Sequence, residues 1–133
     1  MSNIFHDKFG MELRVSQEGM LFLNSRRACY FPYGSMDSLN LSFLGVLQAV
    51  SHAQVCCFTA GKADKAELKE LVKAGKAAMK TAPGAQAVIV DLDQTGVDSS
   101  LSNEEKMKQY KANFVQGRLS KEQLDLMKKV LTA

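Results

Sequence analysis

The chain has only three cysteines, Cys29, Cys56 and Cys57, and two of them are adjacent. An odd count with a neighbouring pair excludes a disulfide framework. No apolar run approaches the roughly 18 residues that a membrane-spanning helix needs. The first ten residues, MSNIFHDKFG, lack a basic start followed by an apolar core, so no signal peptide is expected and the expected location is the cytoplasm. Prolines number two. Pro32 marks an edge strand or a strand end, and Pro83-Gly84 stops a helix. No crossover helix fits before residue 62, which excludes a parallel sheet in the first half. No Cys-x₂-Cys pair exists, so a zinc site would need Cys29, His52, Cys56 and Cys57 to fold together, while adjacent cysteines on a strand point to opposite faces. Free thiols, buried or partly so, are the expectation, with no metal and no cofactor.

What is present is ordinary in bulk and uneven in detail. Of 133 residues, 46% are hydrophobic and 23% charged, the composition of a globular domain with a small appendage. The net charge is +3. Residues 1–61 are balanced, residues 62–80 carry six lysines against three carboxylates, residues 81–102 carry three aspartates and no base, and residues 103–133 are again basic by three. That bias is too mild to make nucleic acid the expected partner.

The most regular stretch is Asp64 to Met79. Leu68, Leu71, Val72 and Met79 recur at helical steps and form one apolar face. Asp64 with Glu67 reads as a capping box. Lys62, Lys65, Lys69, Lys73, Lys76 and Lys80 step by three or four and form a stripe beside that face. Before this helix the pattern is of short strands near 11–15, 20–23, 27–33, 36–43, 46–50 and 55–59. Leu39, Leu41 and Phe43 share a face of the fourth, and Gly45 breaks or bulges it. Residues 1–10 read as loose, with Ile4, Phe5 and Phe9 able to pin them. Turn signals at such spacing predict an antiparallel meander or small barrel, closed by the helix at about 64–80.

After Pro83-Gly84, Ala85 to Leu92 reads as a strand and residues 93–101 as a linker. Residues 102–133 read as a helical hairpin. Ser102 with Glu105, and Ser120 with Gln123, are capping boxes; Gly117 is the joint; Leu119 and Leu124 form a hydrophobic staple. About thirty residues cannot form a core alone. The apolar stripe of Tyr110, Phe114, Leu124, Met127 and Leu131 must therefore meet the strand domain or another copy. The expected class is α+β, with a strand domain over 1–92.

The tail NEEKMKQYKANFVQGRLSKEQLDLMKKVL resembles a SHOCT element, the short C-terminal helical hairpin of many bacterial proteins. The likeness rests on the apolar spacing of its first helix, the Gly117 joint and Leu119-Ser120-Lys121-Glu122. Residues 8–80 resemble bacterial PH-like domains in their meander and closing helix; the strand after that helix departs from this pattern, and its pairing, within the chain or with another subunit, stays open. The first resemblance implies oligomerisation or localisation. The second implies binding of phospholipid headgroups or peptides. Neither implies catalysis.

Three function classes follow. The first is a non-enzymatic oligomerisation or protein-interaction module, with the hairpin stripe as contact and a homo-oligomer or protein partner expected. The second is a binder of anionic headgroups through the lysine stripe, the alternative being a solvated face balanced by Glu67 and Glu70. The third is a Mg²⁺-dependent hydrolase. Asp91-Leu-Asp93-Gln-Thr95 copies the D-x-D-x-T loop of haloacid dehalogenase-like enzymes, in which the first aspartate is nucleophile and the second acid/base. That loop belongs to a large parallel sheet, and too little chain follows here. The same stretch nearly spells a calcium loop, but Ser102 stands where a bidentate glutamate is needed. Tyr30, Phe31 and Tyr33 beside Arg26 and Arg27 offer stacking to a single strand, or simply core.

Overall fold

The computed structural model describes residues 3–132. Seven strands come first: β1 (Asn3–His6), β2 (Glu12–Val15), β3 (Gly19–Leu23), β4 (Arg27–Pro32), β5 (Ser38–Leu41), β6 (Val46–Ser51) and β7 (Gln54–Thr59). Helix α1 (Lys65–Thr81) follows, then β8 (Val88–Asp91), α2 (Asn103–Val115) and α3 (Lys121–Thr132). One sheet has the order β1-β2-β3-β4-β8 and the other β5-β6-β7, and every pairing is antiparallel. The class is α+β as the pattern predicts, but the barrel does not close.

The two sheets enclose the main core. Leu13, Val15, Met20, Phe22, Cys29 and Phe31 from the larger sheet meet Leu39, Leu47, Ala49, Cys56 and Phe58 from the smaller. Helix α1 seals the side next to β5 with Leu68 and Val72. Four consecutive residues of β3, Gly19 to Phe22, are buried, because this strand is covered on both faces. Its outward Leu21, with Ala28 and Val90, forms a second core with Tyr110, Leu119, Leu124, Leu126 and Met127 of the hairpin. The hairpin is thus a third layer on the larger sheet.

Several expectations change. Residues 3–6 are a strand, held by pairing with Glu12–Val15; only Phe5 pins it, for Ile4 and Phe9 are exposed. Met1 and Ser2 lie outside the described residues. The strand after α1 pairs with β4 of its own chain. The Asp64–Glu67 capping box does not form. Asp64 has helical angles (φ −95°, ψ −12°) and its side chain accepts no capping bond, whereas a cap needs extended backbone to reach back. Ser102 accepts from Glu105 N, and Ser120 and Gln123 bond reciprocally. Gly117 (φ +79°) ends α2, with Gly117 N donating to Phe114 O and Arg118 N to Asn113 O.

Candidate functional site

Helix α1 runs antiparallel to β5. Its first turn lies at the β5–β6 hairpin tip, where the Lys65 ammonium donates to the Phe43 carbonyl, and its middle lies on Tyr33 and Leu39. Between the two elements is a groove of about 400 Å³ lined by Leu41, Val72, Lys69, Glu70, Lys73 and Lys76. The apolar floor comes from the inward halves of both elements, and the rim comes from the lysine stripe one helical step aside. Lys62, Lys69, Lys73, Lys76 and Lys80 are exposed and Lys65 is half-buried. Lys62 stands in the turn before the helix rather than on it.

The stripe is partly balanced by its own acids, with Asp64, Glu67 and Glu70 among its six lysines. Among the described residues the ion pairs are His6–Glu12, Arg14–Glu12 and Lys121–Asp125, and none involves these lysines, Glu67 or Glu70. Lys73, Lys76 and Lys80 follow Glu70, the last acid of α1, so the outward positive field is strongest over the second half of the helix.

The loop joining β5 to β6 was legible only in part. Phe43 does not continue the buried face of Leu39 and Leu41. A tight turn intervenes, in which Gly45 N donates to Ser42 O (2.9 Å), Val46 N to Ser42 Oγ (3.1 Å), and Gly45 takes φ +91°. Phe43 is therefore 84% exposed and Leu44 72% exposed. The signal was Ser-Phe-Leu-Gly itself, a four-residue loop with glycine at its last position.

The hairpin stripe is largely spent inside the chain. Tyr110, Leu124 and Met127 are buried against the larger sheet, Leu131 is half-buried, and Phe114 alone is exposed. Polar contacts fix the same seat. Arg14 donates to the Lys129 and Val130 carbonyls (3.2 Å each), Gln123 to Ile89 O (2.9 Å), and Lys129 Nζ lies 4.8 Å from the Tyr30 ring centre. Four of these five residues thus pack within the chain, because the outward face of the sheet is itself apolar, and Phe114 is left at the surface.

The remaining candidates separate. Asp91 is on an antiparallel edge strand, and its Oδ1 accepts from Asp93 N (3.1 Å), capping the 3-10 turn that follows. Phe31 and Tyr33 are core, while Arg26 and Arg27 are exposed. Cys29 and Cys56 face each other across the sheets, two residues along from the Arg27–Gln54 hydrogen bond (3.2 Å), and Cys57 points out. The neighbouring Cys56 thiol, opposed by burial and helped by Arg27, lowers the Cys29 thiol; the same pairing, with burial, pushes Cys56 up. His52 lies in the β6–β7 turn with φ +54°. Among the described residues no three His, Cys, Asp or Glu side chains gather around a metal position. A cleft of about 570 Å³ lies under the hairpin beside His6, Glu12, Asp93, Lys106 and Tyr110, and Glu12 there is already held by His6 and Arg14.

No protein-family model, no curated protein and no solved structure matches this chain.

Proposed function

We propose that this protein is a non-enzymatic module that docks on anionic phosphate-bearing surfaces, taking lipid headgroups along the α1–β5 groove. One observation carries the reading: Lys69, Lys73 and Lys76 line an exposed groove, and none of them is in an ion pair among the described residues. Each lysine brought to an anionic leaflet contributes about 1 kcal/mol, so three or four suffice for measurable binding. The self-association reading has less support, since its stripe keeps only Phe114 exposed. The hydrolase reading has less still, since Asp91 is engaged in its own turn on an antiparallel edge strand.

The test is co-sedimentation with phosphatidylserine-containing vesicles against phosphatidylcholine alone. The protein should pellet only with the former and release as salt rises. Lys69→Glu with Lys73→Glu should abolish pelleting; unchanged pelleting removes the groove from consideration.

A further inference from the structure

We infer that Cys29 and Cys56 form a redox-sensitive staple: hydrogen peroxide joins them in a disulfide that fastens the smaller sheet to the larger, and a thiol reductant releases it. This stands apart from the groove reading and does not depend on it.

The two sheets share a core, but among the described residues no strand of one pairs with a strand of the other. Strands β4 and β7 meet where the Arg27 guanidinium donates to Gln54 Oε1 (3.2 Å). Two residues along each strand stand Cys29 and Cys56. Both are turned into the inter-sheet core, 3% and 8% exposed, and their thiols adjoin. Cys57 follows Cys56 on the strand and so lies on its opposite, exposed face. The two buried thiols therefore have each other as their one cysteine partner. A single buried cysteine is ordinarily just a small apolar residue. Two that adjoin across separate sheets are placed for a cross-link, which a pair on one strand is not.

The surroundings divide the roles. The Cys56 thiol and the Arg27 charge favour the Cys29 thiolate, whereas Cys56 holds its proton. Cys29 is thus the nucleophile and Cys56 the resolving thiol. The Cys29 thiolate attacks one oxygen of the peroxide and the O–O bond breaks. Cys29 becomes a sulfenic acid, and the hydroxide released takes up the proton that Cys29 gave up and leaves as water. The Cys56 sulfur then attacks the Cys29 sulfur. The S–O bond breaks, and the hydroxyl leaves with the Cys56 proton as a second water. Two thiols are oxidised to one disulfide and one peroxide is reduced to two waters. Hydrogen peroxide is small enough to reach a core that excludes bulkier oxidants. The link closes a loop of about 27 residues from Cys29 to Cys56 and so removes freedom from the unfolded chain.

The test uses the full chain with Cys57→Ser, an exposed change that leaves the pair as the protein's thiols. The protein is treated with hydrogen peroxide, the peroxide is removed with catalase, and thiols are counted with N-ethylmaleimide after denaturation. The reduced protein should take two labels and the oxidised protein none, with both restored by dithiothreitol. The oxidised monomer should also melt about 10 °C higher than the reduced one. Adding Cys29→Ala should leave Cys56 labelled after peroxide and the melting temperature unraised. Two labels after oxidation overturn the staple, because the thiols then do not react. One label overturns it in favour of a sulfenic acid on a single sulfur. A linked species of twice the chain mass on a non-reducing gel overturns it in favour of a bond between copies. Loss of both labels with unchanged melting overturns the fastening of the sheets.

Discussion

Gly75, in the middle of α1, approaches the Tyr33 ring so closely that a Cβ there would stand 2.8 Å from Cε1 and 3.0 Å from Leu39 Cδ2. This contact sets the height of α1 over β5, and hence the position of the lysine stripe. Neither neighbour can yield freely, because Tyr33 is buried and its hydroxyl donates to Ser16 O (3.1 Å).

Gly75→Ala therefore opposes two effects. Alanine favours an open helix by about 1 kcal/mol over glycine. Overpacking of a closed core costs about 1–3 kcal/mol. The clash should win, with a net loss of stability on urea unfolding and weaker vesicle binding as α1 is displaced. A stabilised variant would show that α1 is seated less tightly than the contact indicates.

Tyr33 makes a pH prediction. Burial first, then the charges of Tyr30 and Glu18, push its hydroxyl up from 10.0 to about 12. The folded state thus holds the proton more tightly than the unfolded chain. Its contribution is fully present below pH 10 and is lost as pH rises from 10 through 12. Tyr33→Phe should cost about 1 kcal/mol at neutral pH for the lost hydrogen bond. It should also flatten the alkaline fall in melting temperature. Burial raises Tyr30 and Tyr110 in the same direction, so a shallower slope remains.

The thiols should divide by exposure. Cys57 is exposed, whereas Cys29 and Cys56 lie in the inter-sheet core. Ellman's reagent should titrate one thiol at once and the other two only on denaturation, because a buried thiolate has no path to the reagent however low its pKa. Rapid reaction of all three would mean that the two sheets part readily.

Met127 distinguishes a core hairpin from an assembly hairpin. It is 2% exposed, in the layer beneath α3. Met127→Ala should cost about 2–5 kcal/mol, while Phe114→Ala should change stability by under about 0.5 kcal/mol, as exposed positions do. Light scattering should give the same molar mass for both variants and the parent. A drop in mass with Phe114→Ala would restore the self-association reading.

How far the sequence could be read depends on whether a feature is local. The hairpin was legible because Ser120, Gln123, Gly117 and the staple act within a few residues. The meander was legible from alternation and turns. The residence of Tyr110 and Met127 was not, since an amphipathic helix declares a face and not what covers it; the clue lay in β3, where Leu21 interrupts the alternation of Met20 and Phe22. The lysine stripe was readable from spacing alone. Phe43 and Leu44 leave the face that Leu39 and Leu41 begin because β5 ends in a turn whose only marks in the sequence are Ser42 and Gly45.

The length of α1 makes the groove testable by position. From Lys65 to Lys80 the helix rises about 22 Å at roughly 1.5 Å per residue. Headgroup charge is screened over about 8 Å at physiological salt. Lys73 and Lys76 line the groove, whereas Lys62 and Lys80 lie beyond its two ends. Lys73→Glu with Lys76→Glu should weaken vesicle binding by well over tenfold, at about 1 kcal/mol per lysine removed. Lys62→Glu with Lys80→Glu, an identical change in net charge, should weaken it by less than about threefold, because both positions stand about a screening length or more from the middle of the groove. Equal losses from the two pairs would mean that net charge, and not the groove, holds the protein to the surface.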